Sequence, residues 1–201
     1  MEDENLKTEA DRLMGIKCRT KGSDFQSLSI YLRKRCGEDS LRKLEDKLGE
    51  LGYPLSFSKI RLGEWYPEGH NVLTILAAKH LFNWTDKDIF DIGYNSPKLS
   101  LGSKIYIKYF ISYQKTFESC PQYWRKFMDC GILEAFELDE KNKHCIFRLR
   151  DYRFHPIMCH YLAGFFLAVA ENGIKSEKIT IEETQCLYRN DPCHEYLVKW
   201  I

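Results

Sequence analysis

The run Glu183-Thr-Gln-Cys186-Leu-Tyr-Arg-Asn190-Asp191-Pro192-Cys193 places one carboxylate and two thiols around an Asn-Asp-Pro turn. Such a turn folds the chain back on itself and can bring Cys186 beside Cys193. Thiolates and carboxylates are metal ligands, and a closed tetrahedral site takes four donors. In a regular strand Glu183 and Cys186 point to opposite faces, so their convergence requires the strand to end or bulge between them. The fourth donor must come from elsewhere, and the helix that starts at Pro156 is the best source. Cys159 lies in its first turn, where the helix N-terminus favours a thiolate. His155 and His160 flank it as substitutes. On these residues alone two other readings stay open: buried thiols in a hairpin, or a Cys186–Cys193 pair cycling through a disulfide as a redox switch.

The elements that must hold these residues follow from periodicity. Residues 1–13 read as a polar, mobile or loosely helical leader, and 14–201 as a single domain. Gly15 to Thr20 reads as an edge strand. Helices follow at Phe25–Leu32 and at Asp39–Leu51, the second closed by Gly52 and Pro54. After a loop holding Trp65-Tyr66-Pro67, helices are predicted over 71–82, 86–92, 100–117 and 121–128. Residues 133–138 and 145–149 form a predicted hairpin. A helix from Pro156 ends at Asn172-Gly173, and strands over 178–187 and 193–200 complete the chain. The fold class is α+β: helices packed on an antiparallel sheet, with a helical N-terminal half and a hairpin, helix, hairpin C-terminal half.

Composition narrows the function classes. With 30 Lys+Arg against 29 Asp+Glu and no like-charge block, nothing argues for direct nucleic-acid or anionic-membrane binding. The start is acidic and the longest apolar-rich run, 161–170, is too short to span a bilayer, so a cytoplasmic protein is expected. In that compartment the eight cysteines are expected free, metal-bound or redox-active. Cys18, Cys36, Cys120, Cys130 and Cys145 read as small buried hydrophobes. There is no phosphate-binding glycine loop, no nucleophile elbow and no His-Glu-x-x-His pair, so no enzyme activity is expected. Haem would need an axial ligand such as His155 or His160, with no wider haem motif around either.

Glu183-x-x-Cys186, a turn and Cys193 before a closing strand, preceded by Cys159-His-Tyr-Leu-Ala-Gly164-Phe, resembles the end of a 4-vinyl-reductase-type domain. Such domains are sensory modules of phenol-responsive bacterial transcription activators, related in fold to TRAPP transport subunits and haem NO-binding domains. The specific likeness covers about residues 155–200. It departs at Asn190, where the family has Gly, and in a turn between the last two cysteines about one residue shorter.

The resemblance implies a structural zinc held by Cys159, Glu183, Cys186 and Cys193. It also implies a pocket for a small apolar or aromatic ligand against the helix carrying Ala163, Phe165, Phe166 and Val169. An apolar helical stripe is more commonly core, and at least two of the four are expected there. Trp65, Tyr66 and Trp84 are candidate aromatic walls, though Trp65-Tyr66-Pro67 equally suits an interface. The implied function is a zinc-braced sensory domain that signals through a homodimer or a partner signalling chain. The alternatives are a TRAPP-like assembly module and the thiol redox switch.

Overall fold

The computed structural model describes residues 3–99 and 113–201. The expected α+β architecture is present, with seven helices and two antiparallel sheets among the described residues. Helix α1 (Asp3–Met14) occupies the segment read as a mobile or loosely helical leader. Leu6, Ala10 and Leu13 recur at helical spacing and are fully buried, and this stripe packs on α4. Three buried apolar residues in a helix of twelve suffice, because the partner helix supplies the rest of the interface.

Strand β1 (Arg19–Lys21) pairs antiparallel with β2 (Trp65–Pro67), so the Trp-Tyr-Pro segment is a strand rather than a loop. Between them lie α2 (Gly22–Cys36) and α3 (Asp39–Glu50); α4 (Glu68–Leu81) and α5 (Asp86–Leu99) follow. The part of the expected 100–117 helix before residue 113 lies outside the described residues. From there α6 (Tyr113–Phe127) runs unbroken through Pro121. Proline ordinarily breaks a helix, but packing of α6 on the sheet's first strand and on α7 holds this one.

The main sheet has the order β3-β4-β6-β5, every neighbour antiparallel. Its strands are β3 (Ile132–Asp139), β4 (His144–Arg150), β5 (Ile179–Gln185) and β6 (His194–Trp200), with α7 (Ile157–Gly173) joining the two hairpins. Alternate residues Cys145, Phe147 and Leu149 of β4 and Tyr196 and Val198 of β6 are buried, the period-2 signature of a sheet with one covered face. Phe166 of α7 fastens helix to sheet, its ring 5.5 Å from Phe147 and 5.1 Å from Tyr196 between centroids.

Helices α5 and α7 cross at backbone contact. A Cβ on Gly164 would overlap the Phe90 carbonyl oxygen, and one on Gly93 the Tyr161 carbonyl oxygen. Glycine is required at both positions for that approach. Cys18 and Cys130, expected as unpaired buried residues, form a disulfide across 112 positions. The pairing follows from β1 running beside the end of α6, where Thr20 bridges Met128 and Arg19 pairs with Asp129 at 2.6 Å.

Candidate functional site

The bulge that the Glu183/Cys186 convergence requires is present. The β5–β6 register shifts between Glu183 and Gln185, which turns Glu183 and Cys186 toward one side. A short 3-10 turn, Leu187–Arg189, then leads to Asn190 in the left-handed conformation at φ 66°. The Asp191 carboxylate accepts the Cys186 N–H at 2.7 Å and pins the turn. Cys159, in the first turn of α7, brings its sulfur 3.5 Å from Cys186 Sγ.

The fourth member is His194. Its Nδ1 lies 2.9 Å from Glu183 Oε1 and 3.8 Å from Cys159 Sγ. One donor atom from each of Cys159, Glu183, Cys186 and His194 falls within 4.8 Å of all the others. Cys193, the expected fourth donor, is corrected: its thiol points to Gln185 Oε1 at 3.6 Å, outside the cluster. Consecutive strand residues face opposite ways, so with His194 turned inward Cys193 must turn out. The turn shorter by one residue was the available signal. His155 and His160 do not substitute for Cys159. His155 Nδ1 accepts the Ile157 N–H, and His160 lies beside Asp86 at 3.5 Å.

Cys159, Cys186 and His194 are buried and Glu183 is half-buried, and the electrostatics follow from that. Desolvation pushes the Cys159 thiol far above its ordinary range, helped by the Glu183 charge. Burial also acts to raise Glu183, but the hydrogen bond and charge of His194 outweigh it and hold the carboxyl below its usual range. His194 Nε2 faces the Tyr152 carbonyl at 3.2 Å. A carbonyl only accepts, so Nε2 carries a proton and Nδ1 is the atom turned to the cluster. Two sulfurs, a carboxylate and an imidazole nitrogen oriented this way could hold a soft or borderline metal ion. Without one they form a polar clasp joining the start of α7 to β5 and β6.

A cavity of about 100 Å³ opens between α2, α4, α6, β3 and α7. Of the four expected pocket residues, Phe165, Phe166 and Val169 line it and Ala163 does not. Trp65, Tyr66 and Trp84 are not among its walls. Tyr123, Trp124 and Phe127 of α6 take that place, together with Tyr152 and Tyr161. The polar lining is Asp24, Glu68 and Asn71. Glu68 is fully buried; the Tyr152 hydroxyl donates to it at 2.5 Å and Asn71 at 3.2 Å. Burial raises its pKa to about 8 and that of Asp24 to about 6. Among the described residues no Lys, Arg or His lines the cavity. Among the described residues no helix is long and apolar enough to cross a membrane.

No family model and no curated protein matches the chain. Solved structures do. An H-NOX protein from S. oneidensis in the Fe(II)NO ligation state is 14% identical, with a TM-score of 0.66 over 90% of this chain and 99% of that one. An Fe(II)-state mutant of an H-NOX protein from the same organism is 13% identical, with a TM-score of 0.70 over 90% and 96%. An oxygen-binding H-NOX domain related to soluble guanylate cyclases is 13% identical, with a TM-score of 0.63 over 90% and 94%. These likenesses correct the resemblance to 4-vinyl-reductase-type domains. They also correct the zinc expected from it, since the neighbours are described with iron and haem. At such identities the likeness is one of architecture: the chain shares the H-NOX fold.

Proposed function

We propose that this chain is a non-catalytic sensory domain that binds a small, largely apolar molecule in the cavity between α6, α7 and the helical half. The observation that carries the reading is the cavity itself. It is walled by aromatic side chains from elements far apart in sequence, so an occupant would tie α6 to α7 and to α2 and α4. The Cys159–Glu183–Cys186–His194 clasp supports the reading by fixing the first turn of α7, the helix that contributes most of one wall. Output through a second copy or a partner signalling chain belongs to the same reading. Outer strand β3, with Ile132 and Phe136 exposed, is the surface that supports it.

The fold neighbours raise haem as the occupant, but the cavity residues do not fit it. No histidine is available as an axial ligand, and burial holds the lining Cys120 thiol far above its ordinary pKa, hence protonated. The titratable groups among the described lining, Asp24 and Glu68, are acidic and give haem propionates no cationic partner. A volume of about 100 Å³ suits an occupant near the size of one benzene ring, which fills a cavity on the order of 150 Å³. Two measurements on the purified chain test the reading. Benzene-sized hydrocarbons should raise the melting temperature of the native chain and leave a cavity-filling Val169→Phe variant unmoved. Stoichiometric haemin uptake with a sharp Soret band would overturn the reading in favour of haem.

A further inference from the structure

Resting on that reading of the cavity, we infer that its ligand carries a cationic amine, seated against Glu68 and Asp24 with its apolar body among the aromatic walls. Glu68 is fully buried at the first turn of α4 and opens onto the cavity. Its neighbours are the Tyr152 hydroxyl, the Asn71 amide and the like-charged Asp24; among the described residues no cation pairs with either acid. A buried carboxylate lacking a cationic partner is costly, and in proteins such groups are paired, neutralised or coordinated.

The missing partner can be supplied by a ligand. An ammonium group entering here would meet two carboxyls in a space also lined by the rings of Trp124, Tyr152 and Tyr161, so ion pairing at one end is joined to an aromatic lining suited to alkylammonium ions. A neutral hydrocarbon would meet the same apolar walls and leave the acids unsatisfied. An anion would find no cationic partner among the described lining residues. The cavity thus selects for charge at one end and for apolar bulk at the other.

The test compares isobutylamine hydrochloride with isobutanol, a neutral molecule of nearly the same shape. The readout is the ¹³C-methyl spectrum of the methionines of the full chain, recorded above the pH at which Glu68 titrates. The amine is expected to bind about ten-fold tighter than the alcohol. Glu68→Gln should erase that preference while leaving alcohol binding in place, and Asp24→Asn should reduce it independently. Equal binding of the two probes would overturn the amine inference and leave the cavity reading standing. If neither probe shifts the cavity methionines, the cavity reading itself falls.

Discussion

His194 and Tyr152 join the two polar features of this molecule: the imidazole Nε2 donates to the Tyr152 carbonyl at 3.2 Å, while the Tyr152 hydroxyl donates to Glu68 at the cavity wall. One buried residue thus spans from the thiol cluster to the cavity. Its ring also packs edge-on against Trp124, 5.8 Å between centroids, so α6 is tied to the same point. A displacement of Tyr152 would be felt at α6, at Glu68 and at the start of α7.

The exchange of Cys193 for His194 makes a testable distinction. His194→Ala removes the partner of the half-buried Glu183 carboxylate and of the Tyr152 carbonyl, and should cost about 2–3 kcal/mol. Cys193→Ala removes one weak sulfur contact with Gln185 and should cost about 1 kcal/mol. Paired denaturant titrations read the difference. A Cys193 variant as unstable as the His194 variant would restore Cys193 to the cluster.

Glu68 makes stability depend on pH in an unusual direction. Its pKa rises from 4.5 in the unfolded chain to about 8 in the fold, so the folded state holds the proton longer. Stability is therefore fully present below pH 4.5 and is lost as pH rises through about 8. Asp24, Tyr152 and Tyr161 are the titratable groups facing it. The loss is expected to be a few kcal/mol. Thermal melts across this range should show a falling slope in the native chain and a flatter one in Glu68→Gln.

The α5–α7 crossing tolerates no side chain. Gly164→Ala sets a methyl group against the Phe90 carbonyl and should cost about 3 kcal/mol or more, since both partners are backbone and neither can rotate away. Gly49→Ala, in open space on α3, should be neutral or stabilising by up to about 1 kcal/mol. Equal melting temperatures for these two variants would mean the helices are not in contact.

Cys18–Cys130 closes a loop across 112 positions, and losing it should cost roughly 2–4 kcal/mol through the unfolded chain. Cys18→Ser should lower the melting temperature only under oxidising conditions. It should also loosen the end of α6, whose Met128 lies 3.7 Å from Cys18 Sγ and lines the cavity. Melts with and without reductant, together with free-thiol counts, check both statements.

What could be read from residues alone followed local rules. Glu183 and Cys186 could be placed together once a bulge between them was required by strand alternation, and Asn190 could be placed in a turn because Asn-Asp-Pro favours one. Cys193 was misplaced by the same alternation, since one residue of turn length decides which neighbour faces inward. The disulfide was hidden because pairing across 112 residues leaves no local trace, and the cytoplasmic expectation argued against it. Glu68 was hidden for a different reason. An acidic residue beside a helix start ordinarily caps in solvent, and only the descent of Tyr152 and α6 over it turns it into a cavity wall.

The most direct test of the cavity's role uses the chain's four methionines. Met128 and Met158 line the cavity, whereas Met14 is not among its walls. In ¹³C-methyl-labelled protein titrated with benzene, the Met128 and Met158 signals should shift together to saturation while the Met14 signal stays still. Unmoved Met128 and Met158 signals, or an equal shift of Met14, would contradict a ligand-binding cavity between α6 and α7.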